Sequence, residues 1–348
     1  MTCRPIIAVT MGDPAGIGPE VVLGALESQE VYRHSIPIVI GSMTVLRRLG
    51  AKPVGIQGPE DAVGELGRVE VLDVAVPGLE TVEPGKVQAV GGLAADAFIR
   101  KACELALEKR TCPPKPSGDE AWAKSPWRRR IDAISTAPIS KESLRAAGIE
   151  GIGHTELLAQ YLNAPEPLTL FLTENMRILF LSRHLSLREA IDYITRERLF
   201  DFILRVHSAM RKLGFPSPKI AVAALNPHAS DGRQFGDEEA EIILPAISEA
   251  LGQGIDVTGP IGADSVFHQA LEGRFDCVIS LYHDQGHIAA KTRDFFRTVT
   301  ATLGLPILRT SVDHGTGFDI AWQGKANPVS MVSAILAACD LLDSKLSP

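Results

Sequence analysis

The sequence predicts an α/β fold in two domains, and three observations predict it. Apolar runs of strand length alternate with stretches of helical periodicity along the whole chain, the pattern of βα units around a largely parallel sheet. The 348 residues exceed the size at which a single core usually stops growing. The apolar runs end in polar turns punctuated by Gly and Pro, densest over Tyr282 to Gly317, and such strand-end turns are where α/β proteins keep their chemistry.

In chain order, Pro5 to Thr10 (PIIAVT) reads as a strand, followed by the turn Met11 to Glu20 (MGDPAGIGPE) and a helix over Val21 to Ser28. That turn has neither the GxGxxG nor the Walker spacing, so a plain tight turn competes with a phosphate-holding loop at a helix N-terminus. Ser35 to Ile40 and Val69 to Val74 are further strands, with a helix at Thr44 to Leu49 between them. The apolar spacing of Gly91 to Lys109 predicts a long helix. Thr111 to Arg130 departs in composition, with four prolines, two tryptophans and a basic run, and reads as an irregular surface excursion before the strand Ile131 to Thr136. A helix at Glu142 to Ala147 and a loop at Gly148 to Glu156 come next. Leu168 to Leu172 and Arg177 to Ser182 form a hairpin, Leu187 to Leu213 is helical with a break near Thr195, and Lys219 to Leu225 is a strand. The remainder holds a helix at Glu238 to Gly252, a Gly/Pro loop at Asp256 to Asp264, the strand Asp276 to Leu281 and a closing helix at Asn327 to Leu342.

Composition narrows the class of function. The formal net charge of -7 argues against a nucleic-acid surface while leaving room for a local set of cations that binds a small anion. Five cysteines, with no CxxC, indicate neither a disulfide framework nor a structural zinc knot, as expected in a reducing cytoplasm. The N-terminal apolar run is too short for a signal-peptide core, and no window approaches a membrane span.

Three histidines share a position type: His184, His228 and His283 each follow an apolar strand within a few residues. If those strands lie together the imidazoles converge. Three of them suffice to hold a catalytic divalent metal, zinc above all, with positions open to substrate oxygens. A hydrogen-bonded loop histidine is the competing account of each. Asp264 and Asp284 flank these loops and could orient the rings, bind the metal or act as the base; surface capping competes. A second set comprises His154 with Thr155, Lys291, and Arg309 with Thr310 and Ser311. It offers a fork and point charges suited to phosphate or carboxylate, which in an acidic protein points to an anionic substrate.

The segments MGDPAGIGPE, GIGHTE, LNPHASDG, GPIGAD, YHDQGH and LGLPILRTSVDHGT, in this order over nearly the whole chain, resemble the 4-hydroxythreonine-4-phosphate dehydrogenase family of pyridoxal phosphate biosynthesis. The resemblance implies two α/β domains of the isocitrate/isopropylmalate dehydrogenase-like type, divided as residues 1–137 with 315–348 and residues 138–314. It further implies a homodimer with its active site in the interdomain cleft at the subunit interface. Metal ligands are implied at His184, His228 and His283, with His283 supplied by the partner subunit, and substrate anchors at His154, Thr155, Lys291, Thr300 and Arg309. The segment His314 to Pro328 (HGTGFDIAWQGKANP) is similar to the loop with which isopropylmalate dehydrogenases hold the adenosine of NAD, implying cofactor contacts from His314, Gly315, Thr316, Asp319 and Asn327. Two residues depart from the family pattern: Thr300 stands where Asn is usual, and Trp322 where Gly is usual. The first exchanges an amide for a single hydroxyl and leaves the substrate open.

The reaction expected is oxidation of 4-phosphooxy-L-threonine by NAD or NADP, assisted by zinc or else Mg, Co or Mn, with loss of carbon dioxide to give 3-amino-2-oxopropyl phosphate. Asp264, Asp284 and Lys291 are the residues expected closest to the chemistry. D-Threonate or D-erythronate 4-phosphate is the nearest alternative substrate. The cis-dihydrodiol of terephthalate is more remote, because a cationic pocket would be wasted on it unless carboxylates took the phosphate's place.

Overall fold

The computed structural model describes residues 4–108, 130–150 and 153–344. The surface excursion expected at Thr111 to Arg130 lies outside the described residues, except for Arg130. In chain order the elements are β1 (Ile6–Thr10), α1 (Gly18–Ala25), α2 (Gln29–His34), β2 (Ile36–Gly41), α3 (Met43–Arg48), β3 (Val54–Ile56), β4 (Glu70–Asp73), α4 (Ala89–Leu107), β5 (Ala133–Thr136), α5 (Lys141–Ala146) and α6 (His154–Tyr161). They continue as β6 (Leu168–Thr173), β7 (Met176–Phe180), α7 (Leu187–Tyr193), α8 (Arg196–Lys212), β8 (Ile220–Ala223), α9 (Leu244–Gly252), β9 (Val257–Ile261), α10 (Ala263–Leu271), β10 (Cys277–Ser280), α11 (His283–Arg293), β11 (Val299–Leu303), β12 (Leu308–Val312) and α12 (Val329–Ser344). The α/β expectation is borne out.

The chain divides into two compact units, Met1–Pro167 with Gly304–Asp340 and Leu168–Leu303 with Leu341–Pro348. Residues 138–167 and 304–314, expected in the second domain, fall in the first unit. The reason is pairing and packing: β12 runs parallel to β5 with Arg309 opposite Ile134, and α5 and α6 pack on α4.

In the first unit the strand order is β3-β4-β2-β1-β5-β12, and every neighbouring pair is parallel. β1 and β5 are buried along their whole length, which is why they read as continuous apolar runs rather than alternating ones. α4 buries Phe98 and Ile99, and Gly92 lets it approach α5 closely, since a Cβ there would lie 2.1 Å from the Ser143 carbonyl oxygen. Just past β1, Gly12 has φ +73 and a Cβ would lie 2.3 Å from the Pro138 oxygen, so this turn requires glycine.

In the second unit the order is β11-β6-β7-β10-β8-β9. β6 pairs antiparallel with both β11 and β7, the latter being the hairpin read from sequence, while β7, β10, β8 and β9 run parallel. The core gathers Phe171, Ile178, Phe180, Phe267 and Val278. Several elements differ from expectation. β9 and α10 occupy and follow the stretch read as a Gly/Pro loop; β9 is an edge strand and mostly half-buried, a place where Pro is tolerated. His154 and His283, expected on loops, are each the first residue of a helix.

Candidate active site

The parallel strands β7, β10, β8 and β9 end at one edge of their sheet, and the turns after them carry His184, His283, His228 and Asp264 respectively. The His184 and His283 rings are 6.3 Å apart between centroids. His283 Nδ1 lies 2.6 Å from Asp284 Oδ1, so that carboxylate orients the ring. A cavity of about 270 Å³ is lined by Arg183, His184, Leu187, Tyr282, His283 and Asp284. The ring stacked on His283, at 3.7 Å, belongs to His287, which also packs on Phe171 and Phe180. Burial, followed by the positive charges of His283 and Lys291, pushes its pKa down to about 4, so it is neutral at physiological pH. Sequence reasoning gave His287 no role. Its spacing of four from His283 on one helix was the signal that could have found it.

His228 stands on the turn after β8 with φ 54, its ring 6.4 Å from that of Phe235. Among the described residues, no three His, Cys, Asp or Glu side chains are gathered so as to hold a metal. Topology brings the turns that carry His184, His228 and His283 to one sheet edge, and each ring's position is set by its own turn. The donor chemistry still fits zinc, since the strand ends present imidazole nitrogens and an orienting carboxylate. Asp264 is exposed in the first turn of α10, where an acid complements the helix dipole. Lys291 lies on α11 with Nζ 5.4 Å from the Phe295 ring centre, and Thr300 is buried on β11 opposite Phe171.

The anion set of the first unit is of another kind. Arg309, the second residue of β12, is only 4% exposed. Its Nε and Nη2 donate to Thr136 Oγ1 at 3.2 and 2.7 Å, and Thr136 Oγ1 donates in turn to Ser311 Oγ at 2.9 Å. Thr310 faces the other way, donating to the Ala334 carbonyl at 2.7 Å. Burial lowers the Arg309 pKa to about 9, with Glu156 pulling in the opposite direction. His154 opens α6 with Thr155 beside it, and its Nε2 is buried without a hydrogen-bond partner. Burial, and then the Arg309 charge, hold its pKa well below the usual value. A desolvated guanidinium beside a neutral imidazole with an unused ring nitrogen has chemistry suited to an anion.

The loop expected to hold the cofactor belongs to the same unit. His314 Nδ1 is 3.0 Å from the Gly315 oxygen and its Nε2 is buried without a partner. The Thr316 carbonyl accepts from Ile17 N at 2.8 Å, Asp319 is exposed, and Asn327 Oδ1 accepts from Val329 N at 3.0 Å, at the start of α12. The amides of the turn after β1 are already used. Asp13 N donates to Pro138 O, Ala15 N to Asp13 Oδ1, Gly16 N to Asp13 O and Ile17 N to Thr316 O, so this is a tight turn rather than a phosphate loop. The residues of this turn also grip the segment around Trp322: Glu20 accepts from Trp322 N at 2.6 Å and Gly324 N at 2.8 Å, and Trp322 Nε1 donates to Pro14 O at 3.1 Å. Trp322 has φ 61, the left-handed conformation that explains why glycine is usual there, and the Arg48 guanidinium lies 4.6 Å from its ring centre.

Each unit of this α/β protein thus carries its own set of polar residues, strand-end imidazoles on the second and a buried guanidinium with an imidazole on the first. Residues 121–338 match the family described as Pyridoxal phosphate biosynthetic protein PdxA. A Clostridium botulinum protein provisionally named D-threonate 4-phosphate dehydrogenase is 47% identical over 341 residues, 96% of each chain. A Halalkalibacterium halodurans protein with the same provisional name is 47% identical over 346 residues, 97% of each chain. The crystal structure of 4-hydroxythreonine-4-phosphate dehydrogenase from Klebsiella pneumoniae matches with a TM-score of 0.85 at 38% identity, covering 97% of this chain and 98% of that one. A terephthalate 1,2-cis-dihydrodiol dehydrogenase from Burkholderia xenovorans matches with a TM-score of 0.62 at 26% identity, covering 97% and 98%. The chain belongs to the PdxA family of dehydrogenases.

Proposed function

We propose that the protein oxidises the 3-hydroxyl of a 2,3-dihydroxy acid 4-phosphate, D-threonate 4-phosphate or its D-erythronate epimer, using NAD or NADP and a divalent metal, zinc first. The observation that carries this reading is the buried Arg309 guanidinium beside His154 Nε2, a receptor whose unfavourable desolvation a phosphate dianion would offset. Arg309 and His154 bind the phosphate with Thr155 adding a hydroxyl, and Lys291 neutralises the carboxylate. Asp284 holds His283 Nδ1, and Asp264 or Asp284 takes the hydroxyl proton. Such positioning turns the carbinol hydrogen toward the nicotinamide. His184, His228 and His283 would hold a metal that would supply Lewis acidity to the substrate oxygens, and a bound nicotinamide would supply the hydride-accepting chemistry. Oxidation gives the 3-keto acid, the reduced cofactor and a proton; loss of carbon dioxide then leaves dihydroxyacetone phosphate.

His283 is assigned to the site of a partner subunit in a homodimer. In support, α11 exposes Ile288 at 65%, and Phe295 (61%) and Phe296 (50%) follow it, an apolar face that a second copy would cover. The segment from His314 to Asn327 is assigned to the adenosine of the cofactor. A cytoplasmic location goes with this reading; among the described residues no helix is long and apolar enough to cross a membrane.

The sequence put 4-phosphooxy-L-threonine first. The sugar-acid phosphate moves ahead because the relatives of that name are 47% identical against 38% for the Klebsiella enzyme, and because Thr300 offers a hydroxyl where an amide is usual. The amino-acid phosphate is the second reading. Purified metal-loaded enzyme should reduce the cofactor with D-threonate 4-phosphate at a kcat/KM at least about tenfold above that with 4-phosphooxy-L-threonine, a difference of about 1.4 kcal/mol. The reverse preference would select the second reading, and turnover of the terephthalate dihydrodiol alone would overturn the phosphate assignment.

A further inference from the structure

We propose that Glu239 is the positioning residue that aims His228, an inference that rests on reading His228 as a metal ligand. The backbone after β8 holds an unusual run: His228 (φ 54), Ala229 (φ 53), Ser230 (φ 62) and Asp231 (φ 41) all lie in the left-handed region, followed by Gly232 (φ 66) and Arg233 (φ 78). Each of these non-glycine residues has a Cβ that disfavours that conformation, so the segment is not self-supporting and must be held from outside. Glu238 contributes one bond, its Oε2 accepting from Asn226 Nδ2 at 2.7 Å, and the remaining support comes from the Glu239 carboxylate. Glu239 is 2% exposed and begins a π-helical turn, Glu239–Ile243, that leads into α9. Its Oε1 accepts from Leu225 N at 2.8 Å and Asn226 N at 2.7 Å, and its Oε2 accepts from Asn226 Nδ2 at 2.9 Å and Ser230 Oγ at 2.8 Å. Asn226 and Ser230 are thereby tied on either side of His228. Tying both flanks restricts the backbone that carries the imidazole, which favours a preorganised ligand. Exposed His228 makes no such bonds itself, so its direction is inherited from a residue buried behind it.

The test uses the full-length dimeric protein without nucleotide. Zn²⁺ affinity is read by competition with a chromogenic chelator, Co²⁺ binding by its visible absorption, and backbone opening by amide hydrogen exchange over residues 225–233. Glu239→Gln keeps the shape but turns an acceptor into a donor facing Asn226 and Ser230. It should weaken Zn²⁺ by about tenfold to a hundredfold, alter the Co²⁺ spectrum and speed exchange in that segment. Val206→Ala, a cavity in the core of α8, should lower the thermal midpoint while leaving the metal affinity unchanged. Unchanged affinity and spectrum in Glu239→Gln, while His228→Ala loses the metal, would overturn the positioning role. Unchanged affinity in His228→Ala would remove the metal reading and this inference with it. If Glu239→Gln does not fold, Ser230→Ala removes one of the four bonds and should weaken Zn²⁺ several-fold; no change there also overturns the proposal.

Discussion

Arg309 and His228 represent two ways of placing a functional side chain. Arg309 lies within a parallel strand, where the ladder to β5 fixes its backbone and surrounding side chains exclude water. His228 stands on an exposed turn beyond its strand, in a backbone conformation that a buried carboxylate must hold. The first strategy keeps a charge in a dry environment and accepts a depressed pKa; the second leaves a nitrogen accessible and accepts local strain. A group that binds through charge gains from the low dielectric, whereas a group that binds a metal needs direction and access.

The comparison can be broken or sharpened by substitution, beginning with the largest expected effect. His228→Ala should reduce metal-dependent turnover to background while the thermal midpoint changes little, because the exposed imidazole supports no packing; retained activity would remove it from the ligand set. Arg309→Ala should lower kcat/KM by about 100-fold to 1000-fold, the usual consequence of truncating one partner of a buried charge pair. Arg309→Lys should recover only part of this, since an ammonium cannot reproduce the fork. A loss below about threefold in Arg309→Ala would mean that the first unit's receptor does not contact substrate.

A pH experiment probes the same receptor from the side of stability. The folded pKa of His154 lies well below the value of about 6.5 for an unfolded chain, so the unfolded state takes up the proton first. Stability from this group is complete above about pH 6.5 and is lost as the pH falls below it. Urea midpoints measured between pH 7 and 5 should therefore decline more steeply for the native sequence than for His154→Gln; parallel declines would show that His154 is not held neutral. The smallest effect is expected from Thr300→Asn, which should shift substrate preference toward 4-phosphooxy-L-threonine by several-fold. No shift in the ratio of the two kcat/KM values would relieve Thr300 of any part in selectivity.

What the sequence disclosed follows the same division. β1 and α4 were legible because burial on both faces, or along one stripe, writes itself as an apolar run or a helical period. β9 was not, because an edge strand spelled VTGPI carries little apolar signal. The starts of α6 and α11 were hidden because the site places His154, Thr155, His283 and Asp284 in their first turns, replacing the periodic residues that announce a helix. The attachment of the candidate histidines to strand ends was readable. Which imidazoles approach one another was not, because that distance is set by strand order and by turns such as 228–231. The left-handed run there contains no glycine until Gly232 and depends on Glu239, which no local pattern connects to it.

The contact between Glu20 and the segment around Trp322 also bears on how such a chain can change over generations. A bulky residue in a left-handed position is held here by Glu20, which accepts from the Trp322 and Gly324 amides, together with the Trp322 Nε1 bond to Pro14 O. Substitutions at Glu20 and Trp322 should therefore be non-additive. Replacing the indole with glycine first leaves a loop that still closes, whereas losing the carboxylate first strands a tryptophan in a backbone it disfavours. The order of the two substitutions separates a passable mutational route from a blocked one.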